Sequence, residues 1–307
     1  MEGDHRWFKV FPPVLLCAVL WGSAFPGIKT VYRLWDEGGV DIGLPEMWWF
    51  AGVRFVIAGS ALLLVARAPL QELRSASKAG ILRFSLYQTA GQYLFFYWGV
   101  ALASGSLAGL LVSSGSFWWM LLAPLLAGSP WPTLRQWGAV GIGAIGLLVA
   151  TADPGMGAGR PWLGAALLIA ATGLGALGLI EFGKLRPAIG ARAATGYSLL
   201  FGGLILLAFG GRAFLAADVL MSPAVIGLTL WLAFVSAAAF SLWNHLSTRH
   251  PMPLLAGYRF LIPLAGMLES LAFLPGESAG VGLWVGAILI VSALILSQRW
   301  KAGRLPK

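Results

Sequence analysis

Among the ionisable side chains inside stretches otherwise apolar enough for hydrocarbon, six could do chemistry: Lys29, Arg54, Glu181, His245, Arg259 and Glu269. A charge at the centre of a bilayer costs about 2.5–3.5 kcal/mol on insertion scales, so each needs a partner, a wet cavity or a route to the interface. Lys29, Arg54 and Glu269 fall in the outer half of their stretches; Glu181, His245 and Arg259 fall in the inner half. One reading is a pair of gates, Lys29 or Arg54 with Glu269 outside, and Glu181 with Arg259 or His245 inside. The other is snorkelling to the interface, which suits Lys29 and Glu181 at stretch ends better than Arg54, Arg259 and Glu269, each at least a turn inside. Proton coupling through Glu181, His245 or Glu269 stays open, as does a plain interhelical hydrogen bond for His245.

The neutral polar residues between these charges could hold a substrate. Gln88 and Gln92 are spaced i, i+4 and share one helix face, with Tyr93 adjacent. Two amides on one stripe face either a neighbouring helix or a cavity. Ser113, Ser114 and Ser116 with Gly115 form a small hydroxyl-rich centre beside Phe117, Trp118 and Trp119. Trp21 is either an aromatic wall or packing. Arg259, next to Tyr258, could grip a carboxylate or phosphate bidentately, or pair structurally with Glu181. Arg259 facing Trp21, Trp118 or Tyr93 suits an amphipathic anion or a zwitterion such as an amino acid. Trp243 reads as an anchor at the inner belt.

These side chains need helices that span a membrane. The 307 residues are 58% hydrophobic and 11% charged, whereas soluble domains carry about 25% charge. So little charge cannot clothe a water-facing surface. Ten apolar segments fall near 10–32, 45–66, 80–101, 104–126, 135–152, 162–182, 194–210, 225–246, 252–274 and 279–297. Each suits a hydrocarbon core of about 30 Å. Linkers such as Glu37-Gly38-Gly39, Gly128-Ser129-Pro130 and Asp153-Pro154-Gly155 are short. The first apolar run reads as a retained span. The net charge of +9 is spread over loops, which argues against nucleic acid. A single cysteine, Cys17, excludes an internal disulfide and reads as a small buried hydrophobe.

Basic residues set the orientation. Arg67, Arg74, Lys78 and Arg83, then Lys184, Arg186 and Arg192, then Arg299, Lys301, Arg304 and Lys307 share one side, against Arg33, Arg160 and Arg212 on the other. Both termini are therefore expected in the cytoplasm, with Trp35, Trp48, Trp49 and Trp162 as outer anchors and Trp7, Trp131, Trp137 and Trp300 as inner ones. Ten segments divide at residues 1–152 and 153–307. Residues 15–29 align with 167–181 and 107–111 with 255–259. An odd number of spans per half makes the second half inverted, with the substrate site near the midplane. Glycines 138, 141, 143 and 146 and glycines 280, 282 and 286 give the fifth and tenth segments small surfaces for close packing.

Trp21-Gly22-Ser23-Ala24-Phe25 with Lys29, Arg54-Phe55 in the second segment, and Leu261-Ile262-Pro263 followed by Gly276-Glu277 resemble the motifs of EamA-type transporters in the drug/metabolite transporter superfamily. The resemblance spans nearly the whole chain. It departs at Gly128-Ser129-Pro130, at Ile262, where the family has an acid before the proline, and at Arg259. It implies an all-α integral membrane protein, ten helices in two inverted repeats around a central cavity, peripheral fifth and tenth helices, and export or uptake of small metabolites.

The expectation is therefore a secondary transporter of the cell inner membrane, an exporter of small metabolites such as amino acids. No GxxxxGK[ST], HExxH or TVGYG-like motif occurs. No cofactor or metal is expected; the partners are the lipid bilayer and a small-molecule substrate, and the chain is a monomer or a weak homodimer. The alternatives are an intramembrane enzyme acting on a lipid or isoprenoid, and a passive channel.

Overall fold

A computed structural model of the chain describes residues 2–153, 160–211, 213, 220–250, 255, 258 and 261–299, with backbone alone at 2–9 and 297–299. The described residues form helices and connecting turns: α1 Glu2–Gly22, α2 Ala24–Glu37, α3 Leu44–Leu64, α4 Pro69–Ser75, α5 Lys78–Ser85, α6 Gln92–Leu102, α7 Gly105–Leu111, α8 Ser114–Ala127, α9 Leu134–Thr151, α10 Pro161–Leu185, α11 Ala191–Phe209, α12 Pro223–Arg249, α13 Leu261–Phe273 and α14 Val281–Arg299. Among the described residues, seven helices are long and apolar enough to cross a bilayer, so the chain is an all-α protein of the multi-pass membrane type. The first of the seven joins α1 and α2 over Val10–Glu37 and another joins α7 and α8 over Gly105–Ala127.

Three of the apolar segments are interrupted where the sequence loses helix-forming contacts. The first bends at Ser23, whose Oγ donates back to Leu20 O at 2.8 Å, and Pro26 supplies no N–H to the next turn. The third passes from α5 into a π-helical turn, Leu86–Gly91, before α6; such turns re-aim side chains and cluster at functional sites. The fourth tightens at its serine-rich centre, where Ser113, Gly115 and Ser116 donate to carbonyls three residues back at 3.0–3.1 Å.

Glycine decides which helices approach most closely. Gly52 and Gly59 on α3 meet Gly203 and Gly196 on α11, while Gly210, seven residues on and just past the end of α11, faces the Pro45 and Trp49 backbone; a Cβ on Gly203 would lie 2.9 Å from the Val56 nitrogen. With no hydrophobic drive between helices in lipid, small residues that let backbones touch supply the packing. α7 crosses α13 in the same way at Gly109 and Gly266, and α9 crosses α14 at Gly146 and Gly286. Gly143 lies under the Phe117 ring and Gly280 and Gly282 under Asp153, while Gly138 and Gly141 face open space. The largest contacts besides these are α10 on α6, α13 on α1, α10 on α8, α12 on α3 and α12 on α1.

Cys17 is buried, with its thiol on Ala239 O at 3.7 Å. Trp131, Trp137 and Trp162 are exposed at the ends of the bundle, as anchors should be. Trp35 and Trp49 are not: both are buried, and Trp35 Nε1 donates to Leu220 O at 2.9 Å. The Trp7 side chain and Trp300 lie outside the described residues.

Candidate functional site

A cavity of about 140 Å³ lies at mid-height in the bundle. α1 and α2 contribute Trp21, Ala24 and Phe25; α3 contributes Arg54. Gln88 comes from the π turn and Gln92, Tyr93 and Phe96 from α6. Val112 and Gly115 come from the break between α7 and α8, Thr172 to Leu179 from α10, Phe240, Trp243 and Asn244 from α12, and Ile262 from α13. Its polar groups are a guanidinium, three amides, two hydroxyls and indole N–H groups; the rest is aromatic and aliphatic.

Arg54 is 1% exposed. Its Nε donates to Leu232 O at 3.1 Å and to Ser236 Oγ at 2.9 Å, and Nη1 donates to Tyr97 Oη at 2.9 Å. The cation also lies 4.9 Å from the centre of the Phe55 ring. Asn244 Nδ2 donates to Thr195 Oγ1 at 2.7 Å, which fixes that amide to α11. Trp21 meets Phe240 edge-on at 5.3 Å and Trp243 at 5.7 Å. Trp21 Nε1 and Gln92 Oε1 are buried without a hydrogen-bond partner among the described residues.

The bundle beyond the cavity, towards the end carrying Gly38 and Gly105, is packed shut with rings. Phe25 lies 5.8 Å from Phe96, Trp35 lies 5.5 Å from Phe50 and Phe50 lies 5.9 Å from Tyr97. Tyr32 Oη donates to Tyr97 O at 3.1 Å. A carboxylate tie reinforces this end. Glu277 accepts from the Gly105 nitrogen, from the Ser106 nitrogen at 2.9 Å and from the Ser106 hydroxyl. Lys29 is near enough to feel the Glu277 charge. At the opposite end Glu181 accepts from Arg83 Nε at 3.0 Å and from Lys184 Nζ at 2.7 Å.

The sequence-derived site divides accordingly. Trp21, Gln88, Gln92 and Tyr93 line the cavity, with Gln88 on the π turn and Gln92 directly after it. Arg54 lines it too, which corrects its assignment to an outer gate with Glu269: its partners are on α12 and α6. Glu269 instead packs its carboxylate against the Gly22 backbone, and Lys29 lies within electrostatic reach of Glu277. Glu181 is paired with Arg83 and Lys184, not with His245, which is exposed on the outer face of α12. Arg259, the expected anchor, lies outside the described residues, as does residue 252–254 of the same segment.

Ser113, Ser116 and Trp118 do not line the cavity. Ser113 and Ser116 are buried at the helix break. Trp118 Nε1 donates to Ile169 O at 2.8 Å and its ring covers Gly173, while Ser114 bonds Thr172 at 2.7 Å. The serine-rich centre therefore ties α8 to α10, leaving Gly115 to face the space. Tyr258 meets Phe11 edge-on at 6.0 Å, away from the cavity. Trp243 is a buried cavity wall and not an inner-belt anchor. Glu277 and Thr172 escaped the sequence reading as site residues. Glu277 had a signal: Ser104-Gly105-Ser106 opens a helix whose N–H groups need an acceptor.

No family model matches the chain, and no curated protein does. Among solved structures, one described only as the crystal structure of a protein superposes with a TM-score of 0.61 at 15% identity, over 95% of this chain and 98% of its own. The chain shares that protein's fold along nearly its whole length.

Proposed function

We propose that the chain is a secondary transporter that exports small metabolites, with amino acids the leading class, by alternating access across the cell inner membrane. The observation that carries this reading is a mid-height cavity walled by helices from both halves and packed shut with rings at one end. The cavity's lining on α10 and α12 lies in the halves of those helices that finish at the Lys/Arg-rich side. On the positive-inside rule that side is cytoplasmic, so a substrate would load from the cytoplasm.

The helix contacts support two inverted five-segment repeats, residues 1–152 and 153–307. Exchange the halves, so that segment one becomes six and two becomes seven. The contacts α3 with α11, α7 with α13 and α9 with α14 map onto themselves. The contact of α6 with α10 maps onto α12 with α1, and α8 with α10 maps onto α13 with α1. A packing scheme closed under this exchange is what a two-fold axis in the membrane plane produces, and it lets one half rock against the other around a fixed site. On this reading the loosely motif-matched EamA-type family is the frame into which the chain fits.

Counterflow in proteoliposomes tests the proposal. Vesicles loaded with a mixed amino-acid pool should take up a labelled amino acid transiently and saturably. Flux that rises without saturation would make the protein a channel, and conversion of an added lipid or isoprenoid would make it an enzyme.

A further inference from the structure

Arg54 has a surplus that its surroundings leave unspent. A guanidinium stays charged at any physiological pH and offers five N–H donors. Here Nε and Nη1 are engaged, and Nη2 donates to no group among the described residues. Every acceptor is neutral: a carbonyl, a serine and a tyrosine. The carboxylates at Glu37 and Glu181 pair with Arg33 and with Arg83 and Lys184, and none among the described residues pairs with Arg54. No acidic side chain lines the cavity either.

Two more unspent groups line the same space. Trp21 Nε1 is an orphan donor and Gln92 Oε1 an orphan acceptor. A buried polar group without a partner is costly, because it has given up water for nothing. A purely structural arginine would be expected to have its hydrogen bonds closed and its neighbours' as well. A cation with a free edge, and an unpartnered donor and acceptor buried on side chains that line the same cavity, instead describe a ligand in outline. One fixed positive charge calls for one negative charge, and a cation is repelled. A phosphate dianion would leave a charge uncompensated in an apolar box. The remaining wall, Phe25, Phe96, Phe240 and Trp243, suits hydrocarbon.

Resting on the transporter reading above, we infer that the cavity takes a small organic monocarboxylate whose apolar body carries one hydrogen-bond donor. The carboxylate meets the open edge of Arg54 and accepts from Trp21 Nε1. The donor, a hydroxyl or an ammonium beside the carboxylate, meets Gln92 Oε1. Arg54 is then the residue that selects the charge of the substrate, and Gln92 the one that selects its second polar group.

Calorimetric titration of the full chain in detergent tests this with three probes of one shape: 4-methylpentanoate, its neutral amide, and 2-hydroxy-4-methylpentanoate. The acid should bind at least about tenfold tighter than the amide, about 1.4 kcal/mol, and the hydroxy acid a few-fold tighter than the acid. Arg54→Gln should abolish the acid-over-amide ratio. Gln92→Leu should erase the gain from the hydroxyl and leave that ratio intact, which keeps a test in hand if the Arg54 variant does not fold. Equal binding of acid and amide, no binding of any probe, or an unchanged ratio in Arg54→Gln overturns the inference. Acid-selective binding in a protein that shows no counterflow would remove the transporter reading and keep the carboxylate site; counterflow without acid selectivity would do the reverse.

Discussion

Arg54 is held by bonds of unequal redundancy, and that inequality is measurable. Its Nε has two acceptors, Leu232 O and Ser236 Oγ, so Ser236→Ala leaves one in place. Its Nη1 has Tyr97 Oη. Tyr97 is wholly buried, so Tyr97→Phe keeps the ring and strips the acceptor from a buried cation. Leaving a buried donor unpaired costs about 1–3 kcal/mol, and more when it is charged. Tyr97→Phe should therefore lower the thermal midpoint in detergent clearly more than Ser236→Ala does. Equal shifts would mean that Arg54 is solvated within the cavity and does not depend on Tyr97.

At the scale of elements, composition and hydropathy made the helices legible because a bilayer demands long apolar runs. The described helices follow the apolar segments to within a few residues at most ends, and the short linkers fall where Gly and Pro cluster. Side-chain direction was less legible. Gln88 and Gln92 were readable as one face, but the π turn that carries Gln88 has no residue signature. The Ser113–Ser116 centre looked like a substrate surface because hydroxyls in a membrane helix serve equally for ligand and for neighbour; Ser114 and Trp118 went to α10. Pairing of charges was the least legible. Glu181 took Arg83 and Lys184 because a salt bridge follows distance in the fold, and a single chain does not print the distance between α5 and α10.

Helix crossings give a second prediction at this scale. A Cβ on Gly109 would lie 2.5 Å from the carbonyl carbon of Gly266, backbone that cannot turn aside as a side chain can. Gly109→Val must push α7 from α13, and overpacking of this kind costs about 1–3 kcal/mol. Gly138→Val, on a helix face with nothing within 4 Å, should leave the thermal midpoint unchanged. A matched loss in both would point to backbone entropy or helix propensity as the cause and not to the crossing.

For the whole molecule, the ring-packed end and the Glu277 tie make one prediction about motion. Alternating access requires the end that is shut in one state to open in another, and the bonds that hold it shut set how often it does. Glu277 joins the turn after α13 to the start of α7, so it links the two halves of the chain at the end proposed to face outside. Leu107, one turn further in, is fully buried. Leu107→Cys should resist a membrane-impermeant maleimide added to intact cells, with Cys17 silent because it too is buried. Adding Glu277→Ala removes three hydrogen bonds from the closed state and none from an open one. Labelling at position 107 should then rise several-fold, with the two variants matched for expression. An unchanged labelling rate would assign the closure to the rings of Phe25, Phe96, Trp35 and Phe50 alone. The next variant to open the end would then be Trp35→Ala, which also gives up the bond to Leu220 O.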